Sequence, residues 1–488
     1  MNPAALLLPF VVALPPGASA PPPGSVPQAA RITVLDRQLG LIGVRLPKRG
    51  IAQTLGRLRA APGVRYVERD APIALASTPE GCLTVGKDSE TPDTSWRTTI
   101  HLSTRSAAGM IIGIADSGVD DDRLAPREVP TLFSAAGGSD RPGDPLGHGT
   151  AVASMLVANR KDVGVVGLVP DATLLSSRIV SQGSCSQTVL EHGLIASFGW
   201  LRRQGAQVVN VSATATPSRA LVESLRALQL SGALVVAAVG NGGAIAGRDA
   251  FPASQPGVLG VGALAPGSAT VVYVRSTRGR QVDLVAPDEG IKVIASSAIT
   301  KSAETVFTPA GTSFSAPLVT AAAAMVWATH RNWNAAEVAD ALVRSATPLG
   351  PGAPSRDWGY GRLDVSRALH AVRVPDPHEP NDWVAAAQAQ RPMLPGAVIV
   401  ASLGYAGDSV DAYPIDIPAG AKVRAVLRRG GKGLTMRVLP LHTSDAALAA
   451  VARARSHGAQ MALPAGRHLL VVGRDTGAGP YTLALARS

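Results

Sequence analysis

From about residue 108 onward, short apolar runs alternate with stretches of helical periodicity. This alternation constrains the fold more than any other feature of the chain. The runs are Met110–Ala115, Thr173–Leu175, Val208–Val211, Ala233–Val239 and Val258–Val261. Helical stretches fall near residues 149–158, 187–204, 218–231 and 314–329. Strands that are apolar on both faces and separated by helices predict an α/β unit, a parallel sheet with helices on both faces. Its core must use alanine, valine and leucine heavily, because aromatic residues are only 4% of the chain.

The flanks read differently, and 488 residues leave room for about three domains. Residues 31–76 predict a small α+β unit. Arg31–Leu35, Leu41–Leu46 and Val64–Glu68 read as strands, and Ile51, Leu55 and Leu58 share one face of a helix that Pro62-Gly63 ends. Residues 77–95 read as an exposed linker. Three prolines crowd residues 373–383, and beyond them short strands and turns alternate from Ala397 to Ala486, which predicts a C-terminal β-sandwich.

Residues 4–14 (AALLLPFVVAL) are an apolar run followed by Ala18-Ser19-Ala20. That order matches the h-region and cleavage site of an export signal, so residues 1–20 are expected to be one. Against this, no Lys or Arg precedes the run, and Pro21 follows the expected cut. The run is too short to span a bilayer, and residues 315–329 read as a buried helix, so no transmembrane anchor is expected.

The formal charge of +11 invites a nucleic-acid reading, but residues 1–76 alone carry nine basic and three acidic side chains. The net charge of the remaining residues is only +5, with no long basic block interleaved with aromatics, so no nucleic-acid partner is expected. Cys82 and Cys185 form no metal-binding pattern; they are either one disulfide or two buried thiols.

Three segments carry chemistry. Asp116 ends an apolar strand in Ile-Ala-Asp-Ser-Gly, His148 opens a helix in Gly-His-Gly-Thr, and Ser313 opens another in Gly-Thr-Ser-Phe-Ser-Ala-Pro. Each alone reads as an ordinary turn, surface or cap residue. Together they supply a hydroxyl nucleophile, an imidazole base and a carboxylate to orient it. Gly147, Gly149 and Gly311 remove bulk where a peptide would approach. Asn241, in Ala-Val-Gly-Asn-Gly-Gly, offers a side-chain amide to an oxyanion, beside the Ser313 N–H.

These four boxes, in this order, resemble those of the subtilisin-like serine proteases. The resemblance covers roughly residues 95–372 and implies a subtilisin-like catalytic domain over residues 78–372. It implies Asp116, His148 and Ser313 as the triad and Asn241 in the oxyanion hole. Ser212, Ala213, Thr214 and Gly240 are implied as substrate-binding residues. It also implies that residues 21–77 comprise a linker and a prosegment, an intramolecular inhibitor cut off between about Ala74 and Gly81. Residues 373–488, with Glu379-Pro380-Asn381-Asp382 and Asp408–Tyr413, resemble the pre-peptidase C-terminal domain of secreted bacterial proteases.

The chain departs from the family pattern in two places. Ser212-Ala213-Thr214 stands where the family has Ser-Leu-Gly or Ser-Phe-Gly, so Thr214 is expected to narrow the first specificity pocket or tilt the bound chain. Phe314-Ser315 replaces the commoner Met-Ala. No cofactor is expected for the chemistry. Asp120, Asp121 and Asp122 offer oxygen ligands for a structural calcium but read better as a solvated acidic turn, and no metal is assigned. The expected function is a secreted serine endopeptidase made as a self-processed zymogen, with polypeptide as its substrate. The alternative is an inert member of the fold kept for binding or surface adhesion.

Overall fold

The computed structural model describes residues 7–75, 95–127, 130–135, 143–180, 189–245, 250–300, 302, 306–307, 309–352, 354–403, 410–428, 434–452, 460–474 and 479–487. Cys82, Cys185 and residues 76–81 of the expected cleavage region lie outside them. The chain divides into two compact units interleaved in sequence. The first takes residues 1–89, 111–233 and 292–307, and the second takes 90–110, 234–291 and 308–488.

The first unit begins with β1 (Leu7–Ala13), β2 (Arg31–Asp36), β3 (Leu41–Pro47), helix α1 (Ile51–Ala60) and β4 (Tyr66–Arg69). The strands form an antiparallel sheet in the order β2-β3-β1-β4. The apolar run of the expected export signal, residues 1–20, falls in this sheet. Residues 7–13 are an interior strand, paired along their length with β3 and from Phe10 to Ala13 with β4. Val11 and Val12 point to opposite faces and both are fully buried. A strand covered on both faces is apolar throughout, which is why its composition also fits a signal. Leu58 of α1 packs against Phe10, Val12, Ile42, Val44 and Leu46.

After β5 (Pro72–Leu75) come β6 (Ile111–Asp116), β7 (Thr131–Ser134), helix α2 (His148–Val157), β8 (Thr173–Arg178) and β9 (Val189–Leu190). Helix α3 (Glu191–Arg203), β10 (Val208–Val211), β11 (Ala213–Ala215) and helix α4 (Arg219–Leu230) follow. β10, β6, β8 and β7 lie side by side in that order, all parallel. β8 runs three residues past its apolar core because Ser176 and Ser177 are buried, with Ser177 Oγ 2.6 Å from Ser197 Oγ of α3.

Acidic side chains fasten the N-terminal sheet to the start of both helices that follow. Glu68 accepts the Arg219 and Ala220 N–H groups of α4, each at 3.1 Å. Asp70 accepts the His192 N–H of α3 at 3.1 Å and lies 2.6 Å from His192 Nδ1. A carboxylate at a helix N-terminus satisfies orphan donors and meets the positive end of the dipole. Buried Asp36 pairs with Arg202 at 2.8 Å, and Arg65 and Tyr66 both reach Glu223.

The second unit contributes β12 (Leu234–Ala238), β13 (Val258–Leu264), β14 (Leu284–Pro287), helix α5 (Thr312–Thr329), helix α6 (Ala335–Ser345) and β15 (Gly361–Arg362). β15, β14, β13 and β12 are parallel neighbours in that order, and α5 packs across β12, β13 and β14. All residues of α5 from Thr312 to Trp327 are buried. Among the described residues no helix is long and apolar enough to cross a membrane.

The sandwich is built from β16 (Val398–Leu403), β17 (Val410–Ile417), β18 (Val423–Arg428), β19 (Leu434–Pro440), β20 (Gln460–Ala462), β21 (Gly466–Arg474) and β22 (Gly479–Arg487). One antiparallel sheet has the order β16-β22-β18-β20 and the other β17-β21-β19. Tyr413, Ile415, Met436, Leu470, Val472, Tyr481, Leu483 and Leu485 fill the space between them.

Candidate active site

Asp116 is the last residue of β6, at the carboxyl end of a parallel strand, where α/β sheets assemble their sites. His148 is the first residue of α2. Its Nδ1 lies 2.6 Å from Asp116 Oδ1, and neither residue is exposed. The Ser117 N–H donates to the same carboxylate oxygen at 2.7 Å. Burial disfavours a charged imidazole, but the charge of Asp116 and its hydrogen bond outweigh this, so the His148 pKa is raised above its ordinary 6.5. With Nδ1–H donated to the carboxylate, Nε2 is the basic position of the ring.

Sequence reasoning passed over Asp144, which builds the turn that presents His148. One of its oxygens accepts Ser117 Oγ–H at 2.6 Å, Leu146 N–H at 3.2 Å and Gly147 N–H at 2.8 Å. The other accepts Thr150 N–H at 2.8 Å. Ser117 Oγ in turn accepts the Gly149 N–H at 2.8 Å, which ties the Asp-Ser-Gly box to the His-Gly-Thr box. Burial pushes the Asp144 carboxyl up to about 6 despite these donors. The available signal was an acid placed one short turn before a helix start, where capping acids belong.

The glycines beside His148 also have a packing reason. A Cβ on Gly149 would lie 2.0 Å from the Gly118 carbonyl oxygen, and one on Gly147 would lie 2.1 Å from Ile299 Cδ1. Both positions let α2 close onto its own scaffold.

Ser313 and Asn241 belong to the second unit. Gly311 precedes α5 with φ +125°, and Ser313 is the second residue of the helix. The Thr312 N–H and Oγ1–H donate to Asn241 Oδ1 at 3.1 and 3.0 Å. Two donors on the oxygen fix the amide plane and leave Nδ2 as the donating end. The Gly311 N–H donates to Asp288 at 3.1 Å, and burial pushes that carboxyl up to about 7. Ser315, which carried little weight in the sequence, donates to the Ala286 carbonyl at 3.0 Å and so pins the first turn of α5 to β14. Phe314 is fully buried.

The residues singled out for substrate binding divide in the same way. Ser212 is fully buried, with Oγ accepting Asn210 Nδ2–H at 3.0 Å. Ala213 and Thr214 lie in β11, which pairs with β5 in continuous antiparallel register, so Thr214 does not tilt the paired strand. β5 is flanked on its other side by β9. Gly240, in the second unit, has φ +91° and accepts the Thr277 N–H at 2.9 Å.

The acidic turn after Asp116 is not the acid cluster the structure assembles. Asp120 Oδ1 accepts the Asp144 N–H, and its Oδ2 accepts the Ser297 N–H and Oγ–H at 2.6 Å. Asp121 and Asp122 sit in the first turn of a one-turn helix. Among the described residues, the carboxylates that converge are Asp376, Glu379 and Asp411.

Comparison with known proteins defines the class. The subtilase family model matches residues 107–361, more than half of the chain, and the chain belongs to that family. It is 30% identical over 320 residues to an alkaline protease of Alkalihalobacillus alcalophilus, covering 64% of this chain and 75% of the relative. It is 31% identical over 275 residues to subtilisin Savinase of Lederbergia lenta, covering 55% of this chain and 93% of the relative. The solved structure of fervidolysin from Fervidobacterium pennivorans, a keratinolytic enzyme related to subtilisin, shares the fold. Its TM-score is 0.63 at 18% identity, over 95% of this chain and 84% of that one. The chain is thus a subtilisin-like serine endopeptidase of the α/β class.

Proposed function

We propose that the chain hydrolyses peptide bonds through Ser313, His148 and Asp116. Ser313 Oγ attacks the scissile carbonyl while His148 Nε2 takes its proton. Asp116 holds the imidazole in the required tautomer and stabilises its charged form. The oxyanion is bound by Asn241 Nδ2–H and the Ser313 N–H. His148 then protonates the leaving amine, and water hydrolyses the acyl-enzyme. The observation that carries this reading is the buried 2.6 Å contact between His148 Nδ1 and Asp116 Oδ1 at the opening of α2. Without a base in its neutral tautomer the hydroxyl is a weak nucleophile.

The protein is made as a zymogen in this reading. Residues 7–75 act as the prosegment, with β5 lying where a substrate strand would pair with β11. The grip of Glu68 and Asp70 on the starts of α3 and α4 supports this assignment. Residues 78–372 are the catalytic domain and 373–488 a separate C-terminal sandwich. The enzyme works outside the cytoplasm, which rests on the resemblance of the sandwich to that of secreted proteases.

The test is to express the full chain and its Ser313→Ala variant side by side and follow their intact masses. Wild type is expected to lose an N-terminal segment ending between about Ala74 and Gly81, and the variant to stay whole. Two chains that both remain whole under export conditions would contradict self-processing.

A further inference from the structure

Asp288 follows directly on β14 and is fully buried, yet no step of the mechanism uses it. Its Oδ2 accepts the Gly311 N–H at 3.1 Å, whereas its Oδ1 is buried with no hydrogen-bond partner among the described residues. Withdrawing a carboxyl from water carries a penalty, which pushes this one from its ordinary 3.8 up to about 7. A serine hydroxyl or an asparagine amide could accept the same N–H without burying an acid. Asp288 is therefore poorly placed for stability alone.

The peptide it holds is a sensitive one. Gly311 stands two residues before Ser313, with φ +125° and ψ 160°, a conformation that residues with side chains rarely adopt. A glycine is free to leave such a conformation, so its neighbours must fix it. On the carbonyl side, Gly311 accepts the Phe314 N–H at 2.9 Å within the first turn of α5. On the amide side, the fixing group is Asp288.

The rest of the turn is held in register with this bond. Thr312 gives its N–H and its hydroxyl to Asn241 Oδ1. The Ser315 hydroxyl donates to the Ala286 and Pro287 carbonyls at 3.0 and 3.2 Å. Three consecutive residues, Ala286 to Asp288, thus grip the turn on both sides of Ser313, with Asp288 ahead of it and the two carbonyls behind. A rotation at Gly311 would carry Thr312 with it, and so disturb both the Asn241 amide and the Ser313 N–H.

We propose, on the reading of Ser313 as the nucleophile, that Asp288 is a positioning residue for hydrolysis. It fixes the Gly311 peptide, and through it the nucleophile and the two oxyanion donors. Those donors act on the tetrahedral state and little on the bound peptide. A slackened turn therefore lowers kcat and leaves KM nearly unchanged.

The test compares wild type, Asp288→Ala, Asp288→Asn and Ser313→Ala as full chains, each matured with the same trace of wild-type enzyme. Ser313→Ala supplies the background to be subtracted. Peptide hydrolysis is expressed per active site, counted by fluorophosphonate titration, so that misfolded molecules do not enter. Asp288→Ala is expected to lower kcat by about 30- to 100-fold, with KM within about threefold of wild type. Affinity for a peptide boronate, whose adduct copies the tetrahedral state, should weaken by the same factor as kcat/KM. Affinity for the product peptide should not change. Asp288→Asn keeps an acceptor for the Gly311 N–H and should recover most of the lost kcat. Wild-type kcat per site in Asp288→Ala would overturn the proposal. So would a loss carried by KM, or an equal loss in Asp288→Asn. A wild type no more active than Ser313→Ala would overturn the nucleophile reading itself, and this one with it.

Discussion

Ala74 lies directly opposite Thr214, with Leu75 opposite Ala213 and Ile73 opposite Ala215, in an antiparallel pair. The chain's own residues 72–75 thereby line the segment that the family resemblance assigns to substrate. Ile73 and Leu75 lie on the same face and are each 8% exposed, whereas Pro72 and Ala74 are exposed, so one face of this short strand is anchored. A peptide of residues 1–75 added in trans should inhibit the processed enzyme competitively. Leu75→Asp forfeits about 2 kcal/mol of apolar burial, or roughly thirtyfold in affinity. Inhibition constants for the two peptides check this, and equal constants would count against the docking.

Glu191 is expected to make that grip depend on pH. Its carboxyl is fully buried beside Ala71, whose carbonyl accepts the Glu191 N–H at 2.9 Å. Burial, reinforced by the charges of Asp70 and Glu68, pushes it from 4.5 up to about 8. An acid with a raised pKa contributes in full below its free value of 4.5. The contribution fades as pH rises and is gone above about 8. Prosegment affinity should therefore fall with rising pH and level off past that point. Glu191→Gln should flatten the slope, as read by trans inhibition between about pH 5 and pH 9. Parallel slopes in the two proteins would sink the assignment.

In the proposed mechanism the raised pKa of His148 should set the acid side of the rate profile. The imidazole must be neutral to accept the Ser313 proton, so kcat/KM should drop below an apparent pKa higher than the ordinary 6.5. Asp116→Asn removes the charge that raises it. The limb should then move to lower pH, and kcat should fall by about 10⁴-fold. A variant that keeps the wild-type limb would show that another group titrates.

Asp144 holds the turn before His148 through four hydrogen bonds. Asp144→Ala strands several buried donors and should cost about 3 kcal/mol. Urea unfolding in the Ser313→Ala background measures this. Asp144→Asn keeps an acceptor and should recover part of the loss. Two variants as stable as their parent would mean that the turn holds itself.

The sheet of the catalytic part and the sandwich were legible because their signals are local. Apolar runs such as Val208–Val211 are buried on both faces, and turn-then-strand repeats bracket the sandwich strands. The triad candidates were legible because each sits in a short box at a strand end or helix start. The strand at β1 was not legible because a strand buried on both faces and an export signal share one composition, and its pairing with Leu41–Pro47 and Tyr66–Arg69 is a tertiary feature. Asp144, Asp288 and Glu191 were missed because their roles come from backbone donors and burial that tertiary packing brings to them. The Asp376, Glu379 and Asp411 cluster joins residues 35 apart in sequence, and no spacing rule announces it.

The central claim is that Ser313 is the nucleophile activated by His148. The most direct measurement is labelling of the processed enzyme with a fluorophosphonate, followed by peptide mass mapping of the modified residue. One adduct, on Ser313, is predicted, with none in Ser313→Ala and greatly slowed labelling in His148→Ala. An adduct on another serine, or no adduct on a folded and processed chain, would contradict the account.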